Sequence, residues 1–264
     1  MKKTIAIIGL IVSANCFSQN KTGLKLWYNS PSGKTWENAL PIGNGRLGAM
    51  VYGNVGTEII QLNEHTIWSG GPNRNDNPLA LDSLSEIRRL IFEGKQKDAE
   101  KLANRIIISK KSQGQMFEPA GELNLLFNGQ ENYTNYYREL DIEKAVAKTS
   151  YTVADVTYTR EVLASLPDRV IVMHLTASKS KSISFTAFYS TPQPNAVVKA
   201  TAANQLTISG TTIDHEGVTG MIKYKGISQF KYEGGRYAST DTSITITNAD
   251  AVTIYISIAT NFNN

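Results

Sequence analysis

Cysteine is almost missing from this chain of 264 residues: Cys16 is the only one. It can therefore form no internal disulfide and no thiolate metal centre. Histidine is equally scarce, with His65, His174 and His215 alone. No His-x-x-x-His or His-Glu-x-x-His spacing occurs, so a zinc site would need long-range convergence. His174 lies inside "RVIVMHLTAS" and reads as a strand residue, and His215 in "TIDHEGVTG" reads as a turn residue. No Gly-x-Ser-x-Gly elbow is present, which leaves acyl transfer without support. The formal charge is only +4, falling to +2 without Lys2 and Lys3. With no basic cluster interleaved with aromatics, nothing suggests nucleic acid as a partner.

A long apolar run is also lacking. Lys2 and Lys3 precede an apolar stretch from Ile5 to Ala14, and small or polar residues come after it. That pattern is a secretory signal over residues 1–18, too short for a membrane span. Cys16 offers lipoprotein anchoring as an alternative, but Asn15 is a poor residue before a lipidated cysteine. The expectation is an exported, periplasmic or extracellular protein. Residues 19–264, roughly 245 of them, are enough for one large β domain or two small ones held by a hydrophobic core.

One stretch matches a nucleotide-binding pattern by letter. "GNGRLG", Gly43 to Gly48, fits G-x-G-x-x-G, and Glu64 stands at about the spacing of a ribose-binding acid. The fingerprint needs a helix after it, whose N-terminus holds pyrophosphate. The chain continues instead as "AMVYGNVGTEIIQL", β-forming and broken by glycine. The motif is therefore set aside.

From about Leu123 onward Thr, Val, Tyr and Ile alternate with polar residues, the mark of half-buried antiparallel strands. Turns are expected near Glu143, at Ala154-Asp155 and at Pro167-Asp168. The spacing of turn signals predicts a mostly β fold, a large two-layer antiparallel β-sandwich from about 24 to 264. One helical excursion is predicted near 83–106. Ser83 and Glu86 form a capping box, Leu84, Ile87, Leu90 and Ile91 fall at helical spacing, and Gly94 ends the helix. Ala99, Leu102, Ala103 and Ile106 suggest a second short helix, and the two read as a cap over one edge or face of the sheets. No repeat, low-complexity tract or internal linker is apparent.

Candidate acids for general acid/base work are Glu37, Glu64, Asp76, Glu118 and Glu122, all in the loop-rich first half. Spacing alone does not show that any two face one cleft, and most acids on a β-sandwich are solvated. The densest chemistry runs from Trp36 to Pro72. Glycines there permit tight, shaped loops, while Trp, Asn, Arg and Glu suit a sugar surface. Equally, Trp36 and Trp68 could be core residues and the glycines simple turns.

These same residues carry a resemblance. "LWYNSPSGKTWENALPIGNGRLGAMVYGNVGTEIIQLNEHTIWSGGPNRNDNPLA", "EIRRLIFEGKQKDAEKLAN", "EPAGELNLLF", "YRELDIEKAVAKTSYTVADVTYTREVLASLPDRVIVMHLTA" and "DHEGVTGMIKYKG" resemble the N-terminal domain of family 95 glycoside hydrolases, the inverting α-L-fucosidases. His65 in "NEHTIW" is a small departure, standing where the resemblance leads one to expect an acid. The resemblance implies a large β-sandwich, then a linker and a catalytic (α/α)6 barrel. That barrel carries the general acid and the groups that activate water, and it is absent from this chain. No catalytic residue, metal site or cofactor is therefore assigned to residues 19–264. The expected role is a non-catalytic domain or fragment of an exported α-L-fucosidase acting on fucosylated or L-galactose-bearing glycans. A stand-alone carbohydrate-binding or interaction domain is the alternative. Arg46, Asn63, Glu64 and Trp68 are the candidates for contact with sugar or with the barrel.

Overall fold

The computed structural model describes residues 23–109, 114–201 and 204–263; the signal segment expected at 1–18 lies outside them. The strands are β1 (Lys25–Tyr28), β2 (Leu40–Gly43), β3 (Leu47–Val51), β4 (Thr57–Glu64), β5 (Gly121–Leu126), β6 (Tyr133–Asp141) and β7 (Val146–Val153). They continue with β8 (Val156–Ser165), β9 (Val170–Ala177), β10 (Ile183–Ser190), β11 (Val197–Thr201), β12 (Gln205–Thr211), β13 (Lys223–Ser239) and β14 (Ser243–Thr260). Helices α1 (Ala80–Phe92) and α2 (Gln96–Ile106) lie between β4 and β5.

Alternation of buried and open residues along β4, β7, β9 and β10 shows why these segments extend. Each presents a largely apolar row to the interior, interrupted by Glu58 and Glu64 on β4 and Thr149 on β7, and a more polar row outward. The strands pair in the order β1-β6-β7-β8-β9-β14-β10-β5-β4-β3-β2, with β13 on β14, β12 on β13 and β11 on β12. Every pairing is antiparallel.

Strand β14 turns this continuous sheet into two layers. Its first part, from Ser243 to Ala249, pairs with β10, and its second, from Ala251 to Ile256, pairs with β9. The change of partner coincides with a register shift between Glu233 and Gly234 on β13. Gly234, Gly235 and Asn248 sit there with positive φ, a conformation that bends the hairpin. The β2 end of the sheet then returns over β7 and β8, where Asn44 Nδ2 donates to the Ser165 carbonyl at 2.8 Å. The predicted two-layer sandwich is present, made by curling. Between the layers lie Ile60, Leu62, Leu123, Leu125, Ile171, Met173, Ile254 and Ile256, each stabilising the fold by about 1.5–3 kcal/mol.

The turns fall at the positions expected from the sequence, with Ala145, Ala154 and Arg169 in the left-handed region. "GNGRLG" is the β2–β3 hairpin: Gly43 faces Gly48 and Gly45 has φ +84°. The Asn44 side-chain oxygen accepts from the amides of Arg46 and Leu47, a turn chemistry with no place for pyrophosphate.

Two readings of the helices need correction. Helix α1 starts at Ala80, and Ser83 does not cap it; its hydroxyl bonds back to the Leu79 carbonyl, while Glu86 pairs with Arg89. Asn77 does the work near the start, accepting from the Leu79 amide. Nor do the helices cap the sheets. They pack chiefly on each other, burying only Ile87 and Ala99, and leave Leu81, Ile91 and Phe92 in solvent.

Candidate functional site

Strand β4 points Glu58, Ile60, Leu62 and Glu64 inward, so an acid stands at each end of an otherwise apolar row. Opposite Glu64 the β2–β3 hairpin brings its tip, with Leu47 paired to Glu64 and the Arg46 carbonyl accepting from the His65 amide. Arg46 is carried over the carboxylate by this register. Its Nε lies 3.1 Å from Glu64 Oε1, an ion pair that lacks hydrogen-bond alignment. His65 Nδ1 lies 3.3 Å from the same oxygen.

The other oxygen is held more tightly. Glu64 Oε2 accepts from the Thr66 amide at 2.8 Å and from the Thr66 hydroxyl at 2.5 Å. Having spent its proton on Glu64, the Thr66 hydroxyl accepts from Thr260, also at 2.5 Å. Glu64 is closed to solvent, whereas Arg46 and His65 reach it.

The chain turns after Glu64 and presents Trp68. The indole nitrogen donates to the His65 carbonyl at 2.9 Å, and the ring tilts against Phe117 at 5.3 Å between centroids. Trp68, Phe117, Met116 and Met221 are all exposed. Next to Phe117 in the chain Glu118 is buried, one oxygen accepting from the Ile213 amide at 3.3 Å and the other without a hydrogen bond. The result is an exposed apolar rim on a segment that also carries two buried carboxylates. Glu64, held by a cation and two donors and closed to water, can orient its neighbours.

The structure brings Arg46 and Glu64 together and sets Trp68 one turn away. It does not bring Asn63 to them: Asn63 pairs with Gly48 and, by the alternation of β4, lies on the opposite face. The reading of Trp36 and Trp68 as core residues is overturned, since both are exposed. Among the other acids, Glu37 and Asp76 are exposed, and Glu122 accepts from Gln61 and Ser190. His174 bonds Thr253 on a strand face, and His215 turns the chain toward Val218. Among the described residues no three His, Cys, Asp or Glu side chains are grouped to hold a metal ion.

Sequence reasoning missed the buried charges between the layers. Arg160 on β8 pairs with Glu58 on β4 at 3.1 Å, and also donates to the Asn54 and Val55 carbonyls and the Tyr151 hydroxyl. Arg138 donates to the Ser30 and Asn38 carbonyls, its guanidinium lying over Tyr28. A signal existed: these charges stand at the inward phase of alternating strands, where an apolar residue is the default.

Comparison with known proteins fits this architecture. Residues 26–264 match the family model described as glycosyl hydrolase family 65, N-terminal domain. Alpha-L-fucosidase 2 of Arabidopsis thaliana is 40% identical over 191 residues, which cover 71% of this chain and 22% of that protein. "Probable alpha-fucosidase A" of Aspergillus oryzae is 27% identical over 252 residues, 91% of this chain and 34% of that protein. The chain thus spans about a quarter to a third of the length of these relatives. A solved structure assigned as a kojibiose phosphorylase from the human microbiome superposes with a TM-score of 0.50 over 90% of this chain and 32% of its own, at 8% identity. That likeness concerns the fold alone. With nearly the whole described chain matched, the protein belongs to the family of glycosyl hydrolase family 65 N-terminal domains.

Proposed function

We propose that this chain is the non-catalytic N-terminal domain of an exported, inverting α-L-fucosidase of family 95 type. The whole enzyme so proposed hydrolyses terminal α-linked L-fucose, or the related L-galactose, of plant or host glycans. The reading is carried by the identity to the Arabidopsis fucosidase over most of the chain. The site supports it: Glu64 is locked in place, Arg46 and His65 lie over it, and Trp68 heads an exposed apolar rim. Such a wall orients and seals; hydrolysis itself needs an acid and a base on opposite sides of one sugar. In the longer protein the wall meets the catalytic barrel or rims the sugar pocket, Arg46 serving as polar contact and Trp68 as apolar anchor. Asn63, on the other face of β4, supports the hairpin instead.

The test is to purify residues 19–264 and offer 2′-fucosyllactose and an aryl α-L-fucoside. No fucose release above a heat-killed control is expected. Release that Glu64→Gln abolishes would make this domain an enzyme in its own right.

A further inference from the structure

The outward face of β1, β6, β7, β8 and β9 carries a second constellation, on elements that take no part in the Glu64 wall. The register sets Trp27, Glu139, Lys148, Glu161, His174 and Thr253 directly opposite one another on six successive strands. Five strand spacings make this row about 24 Å long. Beside it the next row holds Val146, Leu163 and Val172, paired in the same way. The two rows bound a groove of about 330 Å³, within the range of small-ligand sites.

At one end of the groove stands an aromatic ledge. Trp27 is 62% exposed, and its ring lies near that of Tyr137, with 6.5 Å between centroids and 19° between planes. The ledge is braced from below. Glu139 accepts from the Tyr137 hydroxyl at 2.6 Å and from Lys25 at 2.9 Å, and is itself nearly buried. Burial pulls the Glu139 carboxyl up, but Tyr137 and Lys25 outweigh it and hold the group below the usual carboxylate range. Its oxygens are therefore fixed acceptors.

The charges of the groove cancel. Lys25 pairs with Glu139, Lys144 with Asp141 at 3.9 Å, and Lys148 with Glu161 at 3.8 Å. A balanced lining offers donors and acceptors in alternation but no net field, which suits a neutral ligand rich in hydroxyls better than an anion. The aliphatic row suits the C–H faces of such a ligand, and an open indole provides the flat surface on which a ring stacks. A face serving only to meet water needs neither a continuous, partly open aliphatic row nor the unsheltered tryptophan.

We propose that this face is a binding platform for a neutral oligosaccharide, with Trp27 and Tyr137 as the stacking ledge and Glu139, Lys148, Glu161 and His174 as the hydroxyl-binding row. It is a different site from the Glu64 wall and does not depend on the fucosidase reading.

Isothermal titration of the 264-residue chain tests it, with cellohexaose, xylohexaose and 2′-fucosyllactose as neutral probes and hexagalacturonate as the charged comparison. At least one neutral probe binds, and more tightly than hexagalacturonate. Trp27→Ala weakens that binding by about tenfold or more, as loss of a central aromatic contact does, whereas Phe92→Ala, on the exposed surface of α1, leaves it unchanged. In the unaltered protein the same probe shifts the indole N–H resonance of Trp27, a reading that needs no variant. Absence of binding by all three neutral probes, preference for hexagalacturonate, or an unmoved Trp27 resonance would overturn the proposal.

Discussion

Arg160 and Glu58 meet across the interior of the sandwich, 3.1 Å apart, with neither side chain more than 2% exposed. Arg160 also lies over the rings of Phe127 and Tyr151, and Glu58 accepts from the Gly53 and Ile59 amides. The pair ties β8 in one layer to β4 in the other. Burial pushes the Glu58 carboxyl up, against the opposing pull of Arg160 and the two amides. Replacing Arg160 by Met leaves that carboxylate buried without its cation and should cost about 3–5 kcal/mol in urea unfolding at pH 7. A group whose folded-state pKa is raised contributes stability that is present in acid and is lost as pH rises. The deficit of Arg160→Met should therefore shrink as pH falls toward the ordinary carboxylate range. A deficit that grows in acid would refute this account.

Buried tyrosines set the alkaline limit. Burial pushes Tyr151 and Tyr189 up to about 12, and raises Tyr136 as well. Their contribution to stability is complete below the ordinary tyrosine value of about 10 and disappears as pH climbs through the folded-state values. Between those limits the domain should lose stability steeply, and the buried tyrosines should ionise together with unfolding. Absorbance at 295 nm, monitored beside circular dichroism, checks the coincidence; full tyrosinate absorbance with an intact β signal would contradict it.

The bend of the β13–β14 hairpin depends on Gly235. Its φ is +69°, and an added Cβ would come within 2.4 Å of the Thr247 carbonyl oxygen. Gly235→Ala should therefore cost about 2 kcal/mol or more. Gly45 gives the contrast: its φ is +84°, but nothing lies within 4 Å of the added atom. Gly45→Ala should cost only about 1 kcal/mol, for backbone conformation alone. Equal urea midpoints for the two variants would contradict the steric reading.

Thr66 links the Glu64 wall to the end of β14, through its hydroxyl contacts with Glu64 and Thr260. Thr66→Val keeps the shape and the amide bond to Glu64 but removes the hydroxyl. The expected loss is about 1–3 kcal/mol, the cost of stripping a bond from a buried carboxylate. Hydrogen exchange should quicken at Ile67 and at Thr260 together, and an effect confined to residue 66 would show that the link does not transmit.

Much of the local structure was legible before the fold was known. Period-two alternation marked the strands from β6 to β14, and Ala154-Asp155 and Pro167-Asp168 marked their turns, because both signals act between residues close in sequence. The start of α1 was misplaced for a related reason: Ser83 and Glu86 satisfy the capping pattern, but Asn77 supplies acceptors earlier in the chain. Glu64 and Arg46 were named as candidates, yet nothing in the sequence separated them from Asn63. Only the pairing of Leu47 with Glu64, and of Gly48 with Asn63, sorts these residues onto two faces.

The sequence by itself determined that this is an antiparallel β protein with one helical insertion, that disulfides do not hold it, and that Trp36 to Pro72 is its densest stretch of side-chain chemistry. Those properties come from composition and from the two-residue period of a strand, which need no knowledge of distant partners. Tertiary structure alone decided that one sheet curls into both layers at Gly234 and Gly235, that Arg160 finds Glu58, and that Trp27 stands at the end of a row of groups drawn from separate strands. Pairing of strands far apart in sequence depends on how inward-facing side chains fill a shared interior, and that is a property of the whole packed chain.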